Sequence, residues 1–370
     1  MTTKPPTIDD LRRYAVARTL FRPTTLGRAI DRLGFVQADP IRAPARAQDL
    51  ILRHRVTAYR AGDLERRYAR LPVEEDFVVN YGFVSRRHLA VLHPRTARRA
   101  WTAATQRQAA EVLEFIRERG ATHPRDVEAR FAHGRVTNWF GGTSNAATQL
   151  LDGMHYRGLL RVRRREGGTR VYEAIEHAAP AETASMRAAR AEALLDLVVR
   201  LYAPLPSASL GYLTSLLING SPQLRTELKA GLALARTRLP GVRIDGTHWL
   251  WPADENPRSR RHAVDDRVRL LAPFDPIVWD RRRFALLWGW TYRFEAYVPP
   301  GQRRLGYYAL PILHGEHVVG WCNASVREGR LRLDSGFADG RRRDTAFRTE
   351  LAAEHERLGE FLGVAESLSR

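Results

Sequence analysis

Two polar side chains, Gln37 and Asp39, end an apolar run in LGFVQADPIRAPARAQDL, residues 33–50. In extended chain, residues two apart point to the same face. An amide and a carboxylate so placed suit hydrolysis through a cationic, oxocarbenium-like transition state. The carboxylate can stabilise positive charge on a sugar or take a proton from water, while the amide orients that water. A single Asp leaves no general acid for the departing group. The chemistry then needs a group that leaves unaided, such as a base alkylated at a ring nitrogen and therefore cationic. The spacing is short, and Asp39-Pro40 is a common turn dipeptide, so a turn-capping Asp39 stays open as the plainer reading.

The elements around the pair follow from local signals. TIDDLRRYAVARTLF and TTLGRAIDRLGF read as helices capped by Thr7 and by Thr24 or Thr25, and Gly34 ends the second just before VQAD. Downstream, QRQAAEVLEFIRERG carries a helical apolar stripe closed by Gly120. Thr122 before Pro124 marks a second helix start, and Ser144 can cap a third over NAATQLLDGMHYRG. Strand-like runs at 159–164 and 169–175 follow, joined by REGG. Three helices and a hairpin is the winged-helix order, in which the third helix can enter the major groove.

That order recurs. AETASMRAARAEALLDLVVRLY, ASLGYLTSLL and SPQLRTELKAGLALARTR read as helices, the last with Ser221 and Pro222 as start signals. VRIDGTHWLW then reads as a hairpin about Asp245-Gly246. The sequence therefore predicts an α+β chain of three tandem winged-helix units, 1–105, 106–180 and 181–252. After a polar linker, residues 253–370 alternate and turn like a small antiparallel β region, and RDTAFRTELAAEHERLGEFLGV closes the chain as a helix capped by Asp344 or Thr345.

Lys plus Arg numbers 60 against 41 Asp plus Glu, a net charge of +19. That surplus points to a polyanion, of which DNA is the commonest. No apolar run approaches the roughly 20 residues of a membrane span, and MTTKPPTIDD has no signal-peptide core, so a cytoplasmic protein without membrane attachment is expected. The single cysteine, Cys322, excludes an internal disulfide or Cys-based cluster. No histidines stand at zinc-ligand spacing; neither metal nor cofactor is expected.

LGFVQADPIRAPARAQDLILRHRV resembles the signature of the winged-helix DNA glycosylases typified by AlkZ and YcaQ, whose motif is Gln, an aliphatic residue, then Gln or Asp. Gln37-Ala38-Asp39 matches the YcaQ-like Asp form. MHYRGLLRVRRREGGTRVYEAIE is similar to the family's second wing. LLAPFDPIVWDRRR and YRFEAYVPPGQRRLGYYALPILHGEHVVG are similar to its C-terminal β region, so the resemblance spans nearly the whole chain. It implies tandem winged helices and excision of N-alkylated bases from double-stranded DNA, and in that branch unhooking of interstrand crosslinks. Gln37 would position the water, Asp39 would stabilise the cation and activate that water, and Arg46 would contact phosphate. Three departures stand out: Gln48-Asp49 where the family often has His-His, DFVVNYGF in place of a Phe-Glu-Tyr-Trp-like segment, and a small Ala38.

Further DNA contacts are candidates rather than deductions. Arg53 and Arg55 follow the motif, and strict alternation would put Arg161, Arg163 and Arg165 on one face of the wing, against the alternative of a solvated hairpin. Tyr81 and Trp139 could wedge into a duplex, or pack as ordinary loop aromatics. Trp279, Trp288, Trp290 and Trp321 read as core, as does Cys322, and His54 as structural. Lys4 and Lys229 are the only lysines, neither near the motif, so no side-chain amine is at hand for a Schiff base and a monofunctional enzyme is expected. Three unequal units suit a monomer embracing one duplex. The alternative is a winged-helix regulator or architectural DNA binder without chemistry, which would usually dimerise on a palindrome.

Overall fold

Short-range signals set most of the elements in the computed structural model, which describes residues 4–131, 134–137, 143–176, 182–338 and 344–364. Thr7 and Asp10 form a reciprocal capping box at the start of helix Ile8–Thr19. Helix Leu26–Leu33 follows Thr25 and is closed by Gly34 at φ 77°, a backbone angle suited to glycine. Its buried Leu26, Ala29, Ile30 and Leu33 lead directly into strand Phe35–Gln37, itself wholly buried.

The chain divides into two compact units. The first holds residues 1–63, 195–213 and 232–370, and the second 64–194 and 214–231. In the first, strands Leu205–Pro206, Thr247–Leu250 and Gly241–Ile244 make a small antiparallel sheet. Asp245 and Gly246 turn its hairpin with φ of 46° and 75°, the paired positive angles of a type I′ turn. A second antiparallel sheet runs in chain order through Val268–Leu270, Leu310–His314, His317–Arg327 and Arg330–Phe337. Helix Thr345–Leu362, capped by Asp344, one of the two caps the sequence offers, docks on this sheet's first strand: buried Glu354 accepts a hydrogen bond from the Leu270 amide at 3.0 Å.

One part of the C-terminal region departs from the predicted sheet. Residues Arg281–Trp288 form a helix, because Asp280 accepts from the Arg282 and Arg283 amides and Gly289 adopts the left-handed stop. Residues 291–298 contain no strand. Alternation and turn signals predict extended chain there, and at Arg281–Trp288 the cap decides otherwise.

The second unit contains helices Ala103–Arg119, Pro124–Phe131 and Ala146–Tyr156, then hairpin Leu160–Glu166 with Thr169–Ala174, in the order predicted for 106–176. The helix starts at Pro124 as the Thr122–Pro124 signal predicts; Thr122 itself pairs through its backbone with Tyr172, and the His123 amide donates to Asp126. Ser144 lies within strand Thr143–Asn145 rather than at the cap of the following helix. A second hairpin, Val73–Phe77 with Tyr81–Ser85, carries buried Glu74, Glu75 and Asp76. Such carboxylates persist in a core only when paired. Asp76 meets Arg95 at 2.9 Å and His93 at 2.6 Å. Burial pushes its pKa up, but Arg95 and His93 overrule that and hold it far below the usual carboxylate range.

Candidate active site

Gln37 and Asp39 come from one short segment, yet long-range contacts fix what each can do. Gln37 is 4% exposed, and its Oε1 accepts a hydrogen bond from Trp279 Nε1 at 2.7 Å. An indole N–H can only donate, so the amide's orientation is set: oxygen toward Trp279, and the NH2 group away from it. Among the described residues that NH2 group has no partner in this structure. Gln37 can therefore donate to the oxygen of a bound water and hold it.

Trp279 is itself clamped, with the buried Tyr202 ring at 5.1 Å and the Tyr212 ring stacked at 6.1 Å. Read from sequence as core, Trp279 is only half-buried. Its role is to hold Gln37, a task invisible locally because 242 positions separate the two. Trp288, by contrast, is core at 2% exposure.

Strand Phe35–Gln37 stops short of Asp39, so the motif's carboxylate lies just past the regular extended chain. One oxygen does cap a turn: Asp39 Oδ1 accepts from the Ile41 amide at 2.8 Å. Oδ2 has no partner among the described residues, and the side chain is only partly buried. The turn-capping and chemical readings thus occupy different oxygens of one carboxylate. Burial pushes the Asp39 pKa upward, and the Ile41 hydrogen bond offsets this in part. Such a group is a stronger base than an ordinary aspartate once ionised.

Gln48, one of the departures from the family pattern, positions the motif. Its Oε1 accepts from the Asp39 amide at 3.3 Å from a buried helix, Ala47–Leu52. Asp49 serves the scaffold as well, accepting from the Tyr59 hydroxyl at 2.7 Å and the Gly62 amide at 3.1 Å. Tyr308 escaped the sequence reading. Its phenol is buried without a hydrogen-bond partner, and burial followed by the Asp39 charge pushes its pKa up.

The arginines after the motif divide sharply. Arg55 is fully buried and bidentate to Asp275 at 2.8 and 3.0 Å, with further bonds to the carbonyls of Thr19 and Ile51. Arg53, 4% exposed at its side chain, pairs with Glu354. Arg55, with every guanidinium nitrogen bonded inside the core, has none left for a phosphate, and that expectation is corrected; with Arg53 it ties together the scaffold under the site. His54 fits its structural reading, with Nε2 against the Leu270 carbonyl at 2.9 Å and burial holding its pKa well below 6.5. Arg46 is half-buried at the N-terminal cap of helix Ala47–Leu52.

The wing also differs from strict alternation. A bulge between Val162 and Arg164 makes Arg163 the extra residue, so Arg161, Arg163 and Arg165 do not form one continuous face. Arg161 bonds Glu74 at 2.6 Å and Arg165 bonds Glu75 at 2.7 Å, which spends both charges internally. Arg163 is exposed. Tyr81 donates to Glu75 at 2.7 Å with Arg170 lying 4.3 Å above its ring, a held side chain rather than a free wedge. Trp139 lies outside the described residues.

Residues 30–361 match the family described as DNA glycosylase AlkZ-like, and the chain belongs to that family. Its fold is similar to that of the DNA glycosylase AlkZ of Streptomyces sahachiroi, with a TM-score of 0.61 over 99% of this chain and 100% of that one at 15% identity. The mixed α+β architecture, with its small antiparallel sheets and closing helix, is thus an AlkZ fold across the chain. Among the described residues no helix is long and apolar enough to cross a membrane.

Proposed function

We propose that this chain is a monofunctional DNA glycosylase that hydrolyses the N-glycosidic bond of N-alkylated, cationic purines in duplex DNA, crosslinked purines included. It acts as a cytoplasmic monomer built on three winged-helix units, 1–105, 106–180 and 181–252, and follows the Gln-x-Asp, YcaQ-like form of the motif. Family membership supports a DNA substrate. One observation carries the chemistry: Asp39 keeps an unpartnered oxygen in a half-buried setting, next to an amide whose carbonyl is already committed to Trp279.

In this reading the electrons of the C1′–N bond leave with the base and neutralise its positive charge, so no acid is needed. Asp39 Oδ2 faces the electron-poor sugar, whose charge a fixed anion in a partly desolvated site stabilises more than water would. The Gln37 NH2 group holds the attacking water by its oxygen. As the O–C1′ bond forms, the water proton passes to Asp39 and then to solvent. An abasic sugar and a neutral base result. Arg46 and the exposed Arg163 are the phosphate contacts retained in this proposal.

The test is release of N7-methylguanine from alkylated duplex DNA by wild type and by Asp39→Asn. Loss of release by about 10²- to 10⁴-fold with DNA binding preserved is expected. Binding by both proteins with release by neither would make the chain a winged-helix DNA binder without chemistry.

A further inference from the structure

The first unit contains a cavity of about 1140 Å³ that shares no lining residue with the Gln37, Asp39, Trp279 and Tyr308 cluster. Eight arginines and three carboxylates line it. The carboxylates are largely engaged: Glu354 holds Arg53 and Arg357, and Asp265 holds Arg269. Arg22, Arg32 and Arg261 make no ion pair among the described residues, and Arg32 feels Glu255 only at longer range. Arg60 reaches only a neutral acceptor, the Glu360 carbonyl, at 2.8 Å. The wall therefore carries cationic groups in excess of the anions within it.

Two further features point to a ligand rather than a solvated charge patch. Arg53, almost wholly buried, has Nη1 without any hydrogen-bond partner. Leaving such a charged donor unsatisfied is costly, and an incoming acceptor would relieve it. Arg32 already lies over an aromatic ring, its guanidinium carbon 4.1 Å from the Phe21 centroid. Burial, then the like charge of Arg18, holds the Arg32 pKa below the usual guanidinium range, a cost that a bound anion would remove.

Size and lining select among anions. The volume is far larger than one phosphate needs, and the cationic groups are spread around it rather than gathered at one point. A flexible chain of regularly spaced phosphates fits both the volume and the charge, whereas a rigid duplex does not. Single-stranded nucleic acid is such a chain, and proteins bind it in positively charged grooves that track its backbone. We infer that the cavity lined by Arg22, Arg32, Arg53 and Arg261 is a second nucleic-acid site, which takes a single-stranded segment independently of the Gln37 and Asp39 chemistry.

The experiment is fluorescence anisotropy of the full chain with a labelled oligothymidylate of about ten nucleotides. The triple variant Arg22→Glu/Arg32→Glu/Arg261→Glu is compared with Arg327→Glu/Arg330→Glu/Arg332→Glu, an equal charge change on exposed arginines of the hairpin His317–Arg327 with Arg330–Phe337. Melting curves check that both variants fold, and Arg22→Gln/Arg32→Gln/Arg261→Gln serves if the cavity triple does not. The cavity variant is expected to lose at least about tenfold in affinity and to flatten the logarithmic salt slope by about 2, three contacts at roughly 0.7 each. The control triple should lose clearly less. Equal losses in the two triples, or an unchanged cavity variant, would overturn the site. Thymidine monophosphate binding as tightly as the oligomer would overturn the strand and leave a free nucleotide as the ligand. Base release by the wild type from a fully paired duplex reports on the catalytic reading separately, so the two can fail independently.

Discussion

Trp279→Phe removes a single N–H from the site and keeps an aromatic ring against Tyr202 and Tyr212. In the wild type that N–H satisfies Gln37 Oε1 at 2.7 Å, in a side chain with only 4% of its surface exposed. Phenylalanine leaves the oxygen facing carbon. An unsatisfied buried acceptor costs about 1–3 kcal/mol, and the side chain can escape that cost by turning its oxygen outward and its NH2 group toward the ring. The productive orientation is then depopulated by the same free energy, a factor of about 5 to 150. Single-turnover release of N7-methylguanine should fall within that range, with DNA affinity unchanged and the loss no greater than that of Gln37→Ala. The double variant should be no slower than Gln37→Ala alone, since both changes act through one amide. A Trp279→Phe enzyme within twofold of wild type, beside a crippled Gln37→Ala, would refute the clamp.

Asp39 must be ionised to act, and its pKa is raised above the ordinary 3.8, so the rate should begin to fall at a higher pH than for an unperturbed aspartate; a pH–rate profile flat down to pH 4 would contradict this. The same shift has a stability sign. The folded state binds this proton more tightly than the unfolded chain does, so ionised Asp39 destabilises the fold above its raised pKa and is neutral below 3.8. Asp39→Asn should therefore melt higher than wild type at neutral pH, and the advantage should vanish on acidification. Asp275→Ala strands the buried Arg55 charge and should cost about 3–5 kcal/mol in urea denaturation, with under about 1 kcal/mol counting against the pair's structural role. With Lys4 and Lys229 the only lysines, borohydride should trap no protein–DNA adduct during turnover, and a covalent band would end the monofunctional reading.

Local events are written in the amino-acid order. Thr7 with Asp10, Gly34, Gly120, Asp245-Gly246 and Asp344 act through hydrogen bonds and backbone sterics within a few residues, so their turns and caps are readable in place. The Gln-x-Asp motif also lies within one short stretch. Tertiary structure alone decided which partners these residues meet. Trp279 reaches Gln37 across 242 positions, and Asp275 reaches Arg55 across 220. Nothing near either residue announces such a meeting, because it depends on how distant segments close on one another. Charge shows the same division: composition counted every arginine toward a polyanion, but Arg55, Arg161 and Arg165 are neutralised by Asp275, Glu74 and Glu75. A net charge is a property of the chain, whereas an available charge depends on burial and pairing, and those are fixed only when the chain folds.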